Sequence, residues 1–168
     1  GHTHSDVNLD DPNFEKSEYN AWESYGRSKS ANIHFTQEIV RRYGDRIQSF
    51  AVHPGVIMTE LGRHLTPELM NEMTERVKSR ATSSSEAKET GALPFKSVEA
   101  GAATQVWASV TENLSENNGA YLGDCQVGVE GGNPSESGYL PYIFNKDTAE
   151  ALWSLSEKLV KQEFPQLT

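Results

Sequence analysis

Residues 25 to 32, YGRSKSAN, place a tyrosine and a lysine four positions apart. A phenol ionises near pH ~10 and is a poor acid or base at neutral pH. An ammonium within ~5 Å, at an effective dielectric near ~20, favours the phenolate by roughly 3 kcal/mol, about a hundredfold in the ionisation constant. With that help Tyr25 could donate a proton to a carbonyl oxygen, or take one from an alcohol, near physiological pH. Tyr-x-x-x-Lys arises by chance about 0.3 times in a chain of this length and composition. Taken alone, it therefore also fits a solvated lysine beside a half-buried tyrosine.

Context decides between these readings, beginning with the element that carries the pair. Four residues make slightly more than one helical turn, so on a helix Tyr25 and Lys29 share a face that Asn32 and Thr36 continue. Ala31, Phe35, Ile39 and Tyr43 recur at i+4 and predict a helix from Ser24, with Gly44 expected to take the left-handed turn after it. The apolar run IQSFAVHPG, 47–55, reads as a strand buried on both faces and closed by Pro-Gly. Ligands of open α/β sheets collect outside the carboxyl ends of strands, which singles out Pro54, Gly55, Ile57 and Thr59. Gly55 permits close backbone approach, Ile57 offers backbone hydrogen-bond partners and Thr59 a hydroxyl. A plain strand-ending turn is the alternative.

Further along, Thr66 reads as a cap before Pro67, with Met70, Met73 and Val77 as the apolar stripe of a second helix. RATSSSEAKETGALP, 80–94, reads as a mobile linker within the domain. Ser97 caps a third helix lined on one side by Val98, Ala102, Ala103, Val106, Trp107 and Val110. A turn and short strand follow in NNGAYLGDCQV, and a last helix begins near Asp147, with Glu150 three residues on and Leu152, Leu155 and Leu159 at helical spacing. Helix, strand, helix, helix, strand, helix favours a parallel α/β layer arrangement. Two strands cannot cover their own edges, so the sequence reads as part of a larger sheet.

Bulk properties narrow the partners. The 168 residues are 36% hydrophobic and 23% charged, with a formal net charge of -9, which argues against nucleic acid because phosphate binders gather a basic face. Cys125 is the single cysteine, so no internal disulfide forms. No apolar run approaches the ~20 residues of a membrane span. The chain opens GHTHSDVNLDDPNFE, without Met, so the lack of a leader there decides little and a cytoplasmic location is only an expectation. His2 and His4 read as exposed loop histidines in preference to metal ligands, His53 as a structural imidazole, and no metal site is expected.

YGRSK, the helix SANIHFTQEIVRRYG, the run IQSFAVHPGVIMTEL and the late LWSLSEKLV resemble the C-terminal half of a short-chain dehydrogenase/reductase. The likeness is to the branch of retinol dehydrogenase-like and WW-domain oxidoreductase-like enzymes, and the opening GH with DDPNFE is similar too. The resemblance implies a single partial domain over 1–168. Its fold would be α/β, the C-terminal part of a Rossmann-type doubly wound parallel sheet whose N-terminal nucleotide-binding half is missing. It implies an oxidoreductase that interconverts a ketone or aldehyde and an alcohol with NADP or NAD. Tyr25 would be the acid/base, and Lys29 would lower its pKa and bond the nicotinamide ribose. Both would touch the cofactor, as would Pro54, Gly55, Ile57 and Thr59. Residues 61–94 would form the substrate-binding loop for a small apolar carbonyl or alcohol, with a second copy of the chain as the one protein partner considered.

The chain also departs from that family's pattern. No glycine-rich turn follows a strand to receive a pyrophosphate. The family's catalytic Ser would fall immediately before Gly1, and Ser5 lies on the wrong side of GH to take that role. The isolated chain is therefore expected to turn over no cofactor. A truncated, inactive paralogue acting as an interaction module stays open beside the enzyme reading, as does a self-sufficient small binding domain.

Overall fold

The computed structural model describes residues 1–81, 95–134 and 136–166, with the backbone alone of 77–81. The linker expected over 80–94 lies outside the described residues from 82 onward, and so does the side chain of Val77. The fold is mixed α/β. Its helices are α1 (Ala21–Tyr43), α2 (Pro67–Ala81), α3 (Val98–Val110) and α4 (Lys146–Val160). Its strands are β1 (Ala51–His53), β2 (Val56–Ile57), β3 (Phe95–Lys96), β4 (Tyr121–Gly123), β5 (Gln126–Val127), β6 (Val129–Glu130) and β7 (Gly138–Tyr139). The predicted helices and two predicted strands occur in the expected order, with β3 inserted between α2 and α3 and β2, β5, β6 and β7 as further short strands. None of the described helices is long and apolar enough to cross a membrane.

The expected doubly wound parallel sheet is not formed among the described residues, whose sheets hold at most three strands. β2 and β3 pair in parallel, and β4 and β5 antiparallel. The run 47–55 illustrates the reason. The Ser49 N–H donates to Asn118 Oδ1 at 2.9 Å and Ser49 O accepts from the Gly119 N–H at 2.9 Å, so a side chain takes one place of a neighbouring strand. Only Ala51 to His53 remain as strand, and Ala51 alone of the three is buried.

The contacts divide the chain into two compact units. The first comprises Gly1–Ala51, Glu112–Tyr121 and Tyr139–Thr168. Its core gathers Ile33, Ala51, Tyr121 and Ile143, with Tyr139 and Tyr142 against it. α1 starts one turn earlier than expected because Asn20 accepts from the Glu23 N–H at 2.9 Å, a cap that satisfies an orphan donor of the first turn. Gly44 ends the helix with φ −66, in the right-handed region, contrary to the left-handed turn expected. Space is what requires glycine there, since an added β-carbon would fall 2.3 Å from Val40 O.

The face that α1 buries is largely polar: Arg27, Ser30, His34, Thr36 and Glu38 are all inside, whereas Phe35 of the expected apolar row is 41% exposed. Phe35 stacks on Trp153 of α4 at 4.9 Å between centroids. α4 is capped by Asn145, which accepts from the Thr148 N–H at 3.0 Å, and Asp147 stands inside the first turn instead of capping it. Ala149 and Trp153 are its buried residues, and Leu159 of the predicted stripe is exposed.

The second unit comprises Val52–Thr111 and Leu122–Gly138. Thr66 Oγ1 accepts from the Leu69 N–H at 3.3 Å and Pro67 opens α2, as expected. Ser97 Oγ accepts from the Ala100 N–H at 3.2 Å at the start of α3. The apolar face predicted for α3 is corrected: Gly101 and Thr104 are buried, and Val98, Val106 and Val110 are exposed. Helix packing here selects the smallest residue, because a β-carbon on Gly101 would lie 2.2 Å from Ile57 Cδ1.

Candidate active site

In the first unit, Tyr25 and Lys29 lie on one face of α1, with Lys29 Nζ 5.2 Å from the centre of the Tyr25 ring. The ammonium addresses the π face, an attraction to the ring quadrupole. Tyr25 is 40% exposed, so the phenol stands at the surface with one flank covered. Burial of that flank pushes its pKa above the ordinary value for tyrosine, because desolvation disfavours the phenolate. Of the two continuing positions, Asn32 is exposed, and Thr36 is buried with its hydroxyl donating to Asn32 O at 3.0 Å.

The covered flank is made by the first residues of the chain. A β-carbon on Gly1 would lie 2.6 Å from Lys29 Cγ and 3.3 Å from Tyr25 Cε1. The His4 ring meets Tyr25 edge-on at 6.3 Å and stacks on Trp22 at 5.3 Å. Three α1 residues at i+4 spacing hold this segment. Gly26 leaves room for the backbone, as its β-carbon would fall 2.5 Å from Ser5 N. The Ser30 hydroxyl donates to Ser5 O at 2.6 Å, and His34 Nε2 meets Asp6 Oδ1 at 2.8 Å. His2 is buried, with its ring edge against Tyr121, which corrects the expectation of an exposed loop histidine. Among the described residues no group of three metal-ligating side chains converges.

On the other side of the α1 face, Arg27 anchors the following loop. Its guanidinium donates to Asp11 O at 2.7 Å, pairs with Glu23 at 2.5 Å and covers the Phe14 ring at 3.9 Å. Asp11 in turn accepts from the Ser17 hydroxyl and from the backbone N–H groups of Glu15, Lys16 and Ser17. The polar stretch before the helix is thus a hydrogen-bonded loop fixed to it.

In the second unit, Pro54 and Gly55 form a turn with Gly55 at φ +86, a conformation that favours glycine. The Ile57 side chain lies on Gly101 of α3, and Pro54 O is 3.7 Å from the place a β-carbon on Gly101 would take. Thr59 Oγ1 accepts from the Leu61 N–H at 3.3 Å and caps the 3-10 turn Glu60–His64. Met58 and Leu61 beside it are exposed. The structure therefore unites Tyr25 with Lys29 in one unit, and Pro54 and Gly55 with Ile57 in the other. Sequence reasoning missed Lys96, whose stem crosses Gly55, and the pair of His34 with Asp6.

No family model matches the chain. It is similar to the oxidoreductase calI of Penicillium decumbens, at 36% identity over 97% of this chain and 46% of the relative. It is also similar to the short-chain dehydrogenase/reductase prx1 of Penicillium roqueforti, at 36% identity over 95% and 44%. Human retinol dehydrogenase 14 is 33% identical over 94% of this chain and 40% of its own length. The chain thus spans less than half the length of these curated relatives.

Proposed function

The chain belongs to the short-chain dehydrogenase/reductase family, and we propose that it supplies the proton-transfer and nicotinamide-facing part of an NAD(P)-dependent oxidoreductase. The reaction is the interconversion of an apolar ketone or aldehyde with its alcohol. The observation that carries this reading is the half-exposed Tyr25 phenol with the Lys29 ammonium over its ring.

The residues present fit the nicotinamide end of the cofactor. Gly55, at φ +86, takes a conformation that favours glycine, with the Lys96 stem lying over it, and the 168 residues contain no G-x-G-x-x-G turn for the pyrophosphate. When bound, the cofactor delivers or accepts the hydride. Tyr25, kept protonated by its partial burial, donates the phenolic proton to the carbonyl oxygen in reduction. In oxidation the same oxygen takes the proton of the alcohol, and Lys29 stabilises the phenolate then required. Pro54, Gly55, Ile57 and Thr59 would hold the nicotinamide end through backbone and hydroxyl groups. In this reading 1–168 is part of one dehydrogenase domain and 61–94 is its substrate loop, with exposed Leu61 offering apolar surface.

The test is reduction of apolar ketones and aldehydes by the whole protein with NADPH or NADH. Tyr25→Phe is expected to lower kcat by about 10²- to 10⁴-fold, the usual contribution of a positioned acid. Wild-type activity that survives Tyr25→Phe unchanged would overturn the assignment.

A further inference from the structure

Lys96 ends β3 in parallel register with Ile57. Its side chain runs across the Pro54–Gly55 turn: a β-carbon on Gly55 would fall 2.7 Å from Lys96 Cδ and 2.9 Å from Cε. The ammonium is paired with the carboxylate of Asp124. Both side chains are about three-quarters buried, with relative exposures of 27% and 26%, so the pair is screened less than a surface one.

Asp124 occupies the two-residue loop between β4 and β5, where Gly123 stands opposite Gln126. Asp124 and its neighbour Cys125 both have positive φ, 51 and 53. Such hairpin turns favour Asn, Asp or Gly at the first position and Gly at the second, so Cys125 takes its left-handed conformation at a cost. Two side-chain bonds offset that cost. One is the Asp124 pair with Lys96, and the other runs from the Cys125 N–H to Thr104 Oγ1 of α3 at 3.2 Å. Thr104 is buried, so the turn is fixed to the helix that also receives Ile57 on Gly101.

The Pro54–Gly55–Ile57 segment is consequently held from two directions, by α3 under Ile57 and by the Lys96 stem over Gly55. An unpaired lysine here would read as a cation awaiting an anionic ligand; Asp124 neutralises it and fixes its direction. We infer that Lys96 and Asp124 are positioning residues, which set the Pro54–Gly55 turn for the nicotinamide. The inference rests on the function proposed above. Neither residue need touch the reacting atoms.

The experiment compares Lys96→Met, Asp124→Asn, the double variant and Lys96→Arg in the whole protein. Affinity for NADPH and NADH, kcat and thermal unfolding are read for each. Misplacing a binding turn by about an ångström costs on the order of 10- to 100-fold. Each single variant is expected to weaken cofactor binding about tenfold, the double variant no more than either single one, and Lys96→Arg to restore most of the loss. Tighter binding in Asp124→Asn would mean a freed lysine that grips the cofactor directly, and would overturn the inference. A lowered unfolding temperature with unchanged cofactor affinity would overturn it too. Should the wild type bind neither cofactor, the function proposed above fails, and the Gly55 amide resonance then decides the positioning role. It is expected to move in Lys96→Met and Asp124→Asn but not in the control Lys146→Met. A Gly55 resonance unmoved by either would end the proposal.

Discussion

His34 Nε2 stands 2.8 Å from Asp6 Oδ1, joining residues 28 positions apart in sequence. The imidazole is fully buried and the carboxylate partly exposed, so the helix supplies the fixed half of the pair and the N-terminal segment the half that is drawn in. Nδ1 of the same ring has no hydrogen-bond partner among the described residues, so His34 contributes one bond to the anchoring that Ser30 shares. Removing the ring leaves a cavity and a carboxylate held only by the Val7 N–H at 2.8 Å, whereas Asp6→Asn keeps the shape and weakens one bond. His34→Ala is therefore expected to cost about 3 kcal/mol and Asp6→Asn about 1 kcal/mol in urea denaturation. Both should speed amide exchange at Ser5. Equal small effects from the two would show that the segment is held elsewhere.

Gly26 tests the same arrangement by adding an atom. Alanine gains about 1 kcal/mol over glycine inside a helix, while overpacking costs about 1–3 kcal/mol. The atom in the way, Ser5 N at 2.5 Å, belongs to backbone and cannot swing aside. Repulsion should win. Gly26→Ala is expected to lower stability by about 1 kcal/mol and to open the covered flank of Tyr25, read as greater quenching of a fluorinated tyrosine at position 25. A variant more stable than the wild type would mean that residues 1–5 lift away at little cost.

How far the sequence revealed these features depends on the range of the interactions involved. The shared face of Tyr25 and Lys29 was legible because helix geometry alone fixes it. The caps Thr66 and Ser97 were legible for the same reason, each acting within three residues. Asn20 and Asn145 were equally local signals, and reading from Ser24 and Asp147 passed over them. The partial burial of Tyr25 was not legible, since it is made by Gly1 and His4, more than twenty positions away. Apolar periodicity misjudged α1 and α3 because both turn inward small or polar residues that have specific partners. Ser30 bonds Ser5 O, Gly101 receives Ile57, and Thr104 holds the Cys125 N–H. The pairing of Lys96 with Asp124 depends on where two short strands lie, which no local pattern encodes.

Glu38 supplies a pH prediction. Its side chain is 1% exposed and accepts from Arg41 and Arg42, each at 2.5 Å. Burial raises the carboxyl pKa, but the two guanidiniums outweigh it and hold the group below its ordinary value of 4.5. A folded value below the unfolded one means the contribution to stability is complete above the unfolded pKa and is lost as pH falls through the folded one. Glu38→Gln is expected to cost about 2–3 kcal/mol at pH 7, because a neutral amide cannot satisfy both cations. The gap between variant and wild type should close progressively as pH falls below 4.5 in parallel denaturation curves. A constant gap would indicate that packing, not charge, sets the cost.

Tyr25 gives the last prediction, because the phenol and its cation pull in opposite directions. Burial pushes the pKa up in the cofactor-free protein, while Lys29 Nζ stands over the ring at 5.2 Å. A raised value keeps the acid form dominant through neutral pH, so reduction, which uses that form, should be level from pH 6 to 8. Oxidation needs the phenolate and should climb about tenfold per pH unit until the phenol ionises. Loss of the ammonium removes an attraction for the phenolate, which moves that climb toward higher pH. Lys29→Met should therefore leave the acid side of the reduction profile unchanged and displace the oxidation profile toward alkali, measured as kcat against pH in both directions. The absorbance titration of tyrosinate near 295 nm gives an independent reading, in which Tyr25→Phe should remove a component ionising above pH 10. Superimposable oxidation profiles for wild type and Lys29→Met would mean that the cation does not act on the phenol, and Tyr25 would lose its role as the acid/base.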